Sequence, residues 1–385
     1  MLKINQKSTE QLAYFFMLTP FISILPMASD LQPIYLIFIV LFFIFKYLDE
    51  FELKLPMKNI SGIVLIIFLG MVFFINKYVS GILNVATIII TLLFFANSNH
   101  PEPNTIKKAI LFLFISAVLN ILMPGVWNII AELIMFDYRG DSAGRGVAGI
   151  APEAGIFGAL NIIIFVIIDL IYKKKIDLKY KIFLCFNIVA SLSATGLFTF
   201  VAYLILNGAY KLEISKVILY SFILSLTIFI FTYVFPESRF SSLFIKSLEN
   251  PAHVFLADVS FIMRYIPILI GLYSIFNGNL FGVDGDFTLS FLQNNNHVLD
   301  AFARFNNAGG GSSALGLILI NGGVFGALFF LYTLLNISYA KRLKISVLFV
   351  FSVFFMFSLS FSFPLLWFIY YLGVYNNEKN YICCQ

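Results

Sequence analysis

Residues 254–276 read VFLADVSFIMRYIPILIGLYSIF. Whether this stretch crosses a membrane decides the side on which every later segment lies. It is apolar enough to invite assignment as a span. Asp258, Arg264 and Pro267 interrupt it, and a proline inside a helix removes a backbone hydrogen bond. The reading favoured by charge is a helix lying at the outer interface, or dipping part way in. The alternative is a true span with a snorkelling arginine.

The rest of the chain explains why a membrane is involved at all. Of 385 residues, 60% are hydrophobic, 12% are charged and 47 are Phe. Mean hydropathy is +0.93. A soluble domain of this length needs a far more polar surface, so lipid is the expected solvent. Apolar runs recur from end to end, which predicts one polytopic, all-α integral membrane domain over 1–385. The polar start, Met1 to Gln11, has no short apolar core with a small-residue cleavage site, so no removable signal peptide is expected.

About twelve transmembrane helices are predicted, at 12–28, 32–48, 60–75, 79–96, 106–123, 155–172, 180–194, 196–210, 216–235, 312–335, 345–360 and 362–375. Residues 180–210 are few for two spans, but SLSATG at 191–196 favours a break. Residues 345–375 carry Pro364 near their middle and pose the same choice. Charge separates the options. With a cytoplasmic N-terminus and twelve spans, eighteen of the 25 Lys and Arg fall inside. Merging 180–210 into one span would move Lys341, Arg342 and Lys344 outside. Both termini are then cytoplasmic, with external loops at 124–154 and 236–311.

Lysine and arginine divide differently across this topology. Seventeen of the nineteen lysines are inside, whereas Arg139, Arg145, Arg239, Arg264 and Arg304 are outside. Guanidinium is a planar fork suited to phosphate and carboxylate. The set points to an anionic ligand such as a lipid diphosphate, although any one arginine is more often a rim charge paired with an acid or a headgroup. The 124–154 loop adds GRGVAGIAPEAGIFG at 144–158, where glycines let backbone amides approach a phosphate. It lacks the ending of a nucleotide P-loop. Glu153 there could orient an arginine, act as an acid or base, or simply favour a helix N-terminus.

The larger loop carries His297 in NNNHVLD at 294–300, a residue type suited to abstracting a hydroxyl proton. A lone loop histidine is more often merely solvated. His253 has less context and His100 is incidental. Asp284 and Asp286 form Asp-x-Asp, a metal pattern that around glycine is more often turn chemistry. Cys185 reads as packing, and Cys383 and Cys384 show no zinc spacing. Neither a nucleic-acid module nor a Ser-His-Asp order is present. The net charge of +5 reports topology.

In order, DVSFIMR (258–264), LFGVDGD (280–286), NNNHVLD and ALGLILINGGVFGALFF (314–330) resemble the O-antigen polymerase and ligase superfamily, including Wzy-type polysaccharide polymerases. GRGVAGIAPEAG is similar to the polymerase Arg and Glu stretch, and SLSATG to a short broken helix pair of that family. The match runs from about residue 139 onward, and the N-terminal spans agree only in hydropathy. The resemblance implies a bacterial inner-membrane enzyme whose donor is an undecaprenyl-diphosphate-linked oligosaccharide. It implies His297, Arg264 and Glu153 as catalytic, with Arg145, Arg139, Arg304 and Asp258 holding substrate or diphosphate. Arginines can take a metal's part at the diphosphate, so no metal or cofactor is expected. Membrane lipid and a chain-length regulator are the other expected partners, and nucleic acid is not one. A ligase moving the glycan to another acceptor, or a flippase for the same donor, would share much of this pattern. A flippase should place charges inside its spans, where Asp169 is nearly alone.

Overall fold

The computed structural model describes residues 6–22, 34–49, 60–135, 146–172, 175–209, 259–295, 313–339, 345–357 and 359–374, with a few isolated positions between 233 and 248. Among them are fourteen α-helices and no strand: α1 (Gln6–Leu18), α2 (Ile34–Asp49), α3 (Ile60–Ile75), α4 (Val79–Asn97), α5 (Pro103–Leu122), α6 (Pro124–Ile134), α7 (Ala154–Ile171), α8 (Leu178–Ala190), α9 (Ala194–Ala209), α10 (Val259–Phe276), α11 (Thr288–Asn295), α12 (Ala314–Tyr339), α13 (Ile345–Phe357) and α14 (Pro364–Val374). Proline opens α5, α6 and α14, where its missing N–H costs nothing. Four helices are long and apolar enough to cross a membrane: Val79–Asn97, Pro103–Leu122, Ala154–Ile171 and Ala314–Ile337. Seven shorter apolar helices accompany them. This is the helix content of a multi-pass membrane protein.

The chain divides into two compact units. The first takes in Met1–Leu55, Ile90–Ser242 and Pro364–Ile369. Its centre is α7, whose sequence AGIFGALNIIIFVIIDLI is apolar on every face and is buried almost all round from Phe157 to Ile168. Helices α8 and α9 pack along it as separate elements with a turn at 191–193, in agreement with the break expected in SLSATG. At the far end, Asp169 of α7 accepts from Lys181 of α8 at 2.7 Å and from the Tyr203 hydroxyl of α9 at 3.0 Å. That charge is therefore paired within the helix bundle.

In the same unit the start of α1 is bound to the loop between α4 and α5. The Glu10 carboxylate accepts the Asn99 N–H. Gln11 accepts from the Glu102 N–H and the Thr105 hydroxyl, both at 2.8 Å. Lys46 donates to the Asn97 carbonyl at 3.1 Å. His100 lies edge-on to Phe368, with ring centroids 6.2 Å apart.

The second unit comprises Pro56–Ile89, Leu243–Phe363 and Tyr370–Gln385. Without a hydrophobic force between helices in lipid, close backbone approach at small residues drives their association. Helices α10 and α12 meet this way. A Cβ on Gly316 would lie 2.5 Å from Pro267 Cβ, and one on Gly271 would lie 2.6 Å from Leu319 Cβ. Phe68 stacks on Phe325 across α3 and α12 at 6.1 Å.

The expected span at 312–335 is present as a helix long and apolar enough to cross, but it is kinked. Helical geometry in α12 is interrupted at Gly323 (φ 55°, ψ −136°). The cause is legible in NGG at 321–323, because this backbone geometry is favourable essentially to glycine alone. The expected helix at 254–276 is described from Val259 onward as α10, and Pro267 lies within it. Residues 345–375 are also two helices, α13 and α14. The expected span at 216–235 lies outside the described residues. The loop at 124–154 contains a helix, α6, that was not expected.

Candidate functional site

The first unit brings the Gly-rich run onto the α8–α9 turn. The Val147 N–H donates to the Ala190 carbonyl at 2.9 Å. Gly146 lies so close to Ala190 and Ser191 that a Cβ would strike their backbone. Gly158 faces the Ser191 hydroxyl, 2.7 Å from where its Cβ would sit. Leu192, at the turn, holds φ 47°, a left-handed conformation that is unfavourable for leucine. Two motifs far apart in sequence thus form one packed junction.

This junction uses part of the Gly-rich run for packing. Three consecutive amides of the run are already committed, Val147 to Ala190 and Ala148 and Gly149 to Asn120 Oδ1 at 3.2 and 3.3 Å. The Ala151 N–H donates to the Ala148 carbonyl. The glycines serve close packing and, at Gly149 (φ 51°), a left-handed turn.

Glu153 occupies the cap position before α7 in extended conformation, and its side chain does not cap the helix. About two turns inside, the Asn161 amide donates to the Phe157 carbonyl at 2.8 Å, and Asn187 donates to Asn161 Oδ1 at 2.9 Å. Both asparagines are fully buried, and Asn187 Oδ1 has no partner among the described residues. Arg145 directly precedes the anchored Gly146 in sequence. Arg139 and Arg145 themselves lie outside the described residues.

In the second unit, Arg264 is half-buried on α10, two residues before the fully buried Ile266. Leu292 of α11 packs with Ile266, Ile270 and Ile320, and Val283 and Phe291 close the cluster. The connection between α10 and α11 fills the break in α12. Val324 donates to the Leu280 carbonyl at 2.9 Å, and Val283 donates to the Ile320 carbonyl at 2.8 Å. Asn321 donates to the Val283 carbonyl at 3.0 Å and to the Thr288 hydroxyl at 2.7 Å. Asn76, from the α3–α4 turn, donates to the carbonyls of Phe281 and Asn321, both at 2.7 Å. Gly285 donates back to the Asn76 carbonyl at 2.5 Å.

Asp284 and Asp286 resolve as turn chemistry. Asp284 Oδ1 accepts from the Asp286 N–H at 3.0 Å, and Asp284 Oδ2 lies 3.5 Å from Lys77 Nζ. No group of three His, Cys, Asp or Glu suited to a metal occurs among the described residues. Asp258, His297 and Arg304 lie outside them. The sequence reading missed Asn76, Asn120, Asn187 and Asn321. Their signal was available, since each is a lone amide within or beside an apolar run. Comparison with family models, characterised proteins and solved structures finds no match.

Proposed function

We propose that the chain polymerises lipid-diphosphate-linked oligosaccharide repeat units on the external face of the bacterial inner membrane. The observation that carries this reading is the anchoring of α11 on α10. Leu292 seats among Ile266 and Ile270, so the helix bearing Arg264 and the helix leading to His297 form one packed piece. His297 follows the end of α11 by only two residues. The partition of lysine inside and arginine outside supports an anionic donor at that face.

The chemistry follows from the side chains. No nucleotide sugar is at hand outside the cytoplasm, so the donor arrives already activated. An acceptor sugar hydroxyl attacks the anomeric carbon of the donor. His297 takes the hydroxyl proton as the new C–O bond forms. The bond from the anomeric carbon to the diphosphate oxygen breaks, and lipid diphosphate leaves as an anion. Arg264 and Arg304 stabilise that leaving charge, and Asp258 orients them or the acceptor. A chain-length regulator would act on this same piece from outside the chain.

Cells carrying His297→Ala or Arg264→Ala test the assignment. Both variants should accumulate single repeat units in place of a length ladder. Full-length polymer from either removes that residue from the mechanism. Glycan transferred to a different acceptor, with no ladder on the carrier lipid, indicates a ligase.

A further inference from the structure

Helix α6 is 11 residues long, or about 16 Å, roughly half of the ~30 Å hydrocarbon layer. It follows α5 after a single non-helical residue, Met123 (φ −139°, ψ 60°), and Pro124 starts it afresh. Its rotation is fixed, because Trp127 Nε1 donates to the Gly149 carbonyl at 3.1 Å. Trp127 and Ala131 are buried against the first unit.

At about 100° per residue, the helix then has three sectors roughly 120° apart. One holds Trp127 and Ala131 and faces protein. A second holds Glu132 and Gly125, both exposed, with the half-buried Asn128 at its edge toward the protein. The third holds Val126, Ile129 and Leu133, which are 50%, 64% and 78% exposed. Leu122 at the end of α5 and the linking Met123, which lead into it, are exposed and apolar as well. Two sectors suffice for a helix between protein and water. Three sectors match a helix where protein, water and lipid meet.

We propose that α6 lies in the plane of the external membrane interface, with Val126, Ile129 and Leu133 in the acyl layer and Glu132 in water. The occupant of its exposed apolar face is the lipid of that leaflet. This assignment rests on the exposed apolar residues that lead into this face from α5, the short length and the separate polar sector. It stands independently of the glycosyl-transfer reading. Its consequence is positional. Trp127 of α6 and Asn120 at the adjoining end of α5 bind the loop at 148–149, so the loop after Arg145 is held at headgroup depth, where a lipid-borne anion travels.

Spin labels decide it. In the full chain with Cys185, Cys383 and Cys384 replaced by serine, labels go at Ile129→Cys, Leu133→Cys and Glu132→Cys, in phosphatidylcholine and phosphatidylglycerol nanodiscs. Labels at 129 and 133 should collide with oxygen several-fold more than with a water-soluble nickel chelate, and the label at 132 should show the reverse. Val126→Cys supplies a third apolar position if one label perturbs the fold. Nickel access at 129 and 133 overturns the proposal by placing that face in water. Exclusion of both reagents overturns it by placing protein, including a second copy of the chain, on that face.

Discussion

Asn321 is fully buried, and both hydrogens of its amide are committed, one to the Val283 carbonyl and one to the Thr288 hydroxyl. Replacing it with alanine strands a buried carbonyl and loosens the α12 break. Asn321→Ala should cost about 2–3 kcal/mol in unfolding of the purified protein, as expected when buried hydrogen-bond partners lose their donor. Gly146→Ala should be comparably harmful, because its Cβ meets backbone that no rotamer change can move. Gly125 has open space around its Cβ position, so Gly125→Ala should leave thermal stability unchanged or slightly raised. Glu10 supplies a pH prediction. Burial raises its pKa above the ordinary carboxylate value, against the opposing bond from Asn99 and the charge of Lys46. Its folded form therefore holds a proton that the unfolded form has released. Its contribution to stability is fully present below about pH 4.5 and is lost as pH rises through the higher folded value. Glu10→Gln should remove this falling limb from a plot of thermal stability against pH.

Among the elements, α12 shows what hydropathy can and cannot convey. The run 312–335 has the length and composition of a span, and NGG carries the only hint that it is two helices. What fills the break, the 279–287 connection and Asn76, comes from other parts of the chain and left no periodic trace. The α8–α9 break was legible because SLSATG concentrates small polar residues in an apolar run. Its packing against the Gly-rich run was not, since nothing in either motif names the other. Helix α6 escaped notice because it is short and opens with proline and glycine. Asp169 and Lys181 are three-quarters covered by α7–α9 packing, with side-chain exposures of 22% and 23%. Asp169→Ala should therefore destabilise the helix group more than an exposed pair would, by about 3 kcal/mol, because it leaves a half-buried ammonium unpaired. A double-mutant cycle with Lys181→Met checks this, since removing both charges should recover most of the loss.

For the whole molecule, the proposed topology rests on the excess of lysine on one side. The bond between Val147 and Ala190 sets the Gly-rich run beside the α8–α9 turn. Arginine placement supports the proposed anionic donor without naming a sugar. The reading as a polymerase is tested most directly by purified protein in liposomes supplied with undecaprenyl-diphosphate oligosaccharide. New glycosidic bonds should form a ladder on the carrier lipid, with one undecaprenyl diphosphate released per bond, and His297→Ala should abolish both. Donor that is moved across the bilayer, or left intact, with no new bond formed would contradict the account.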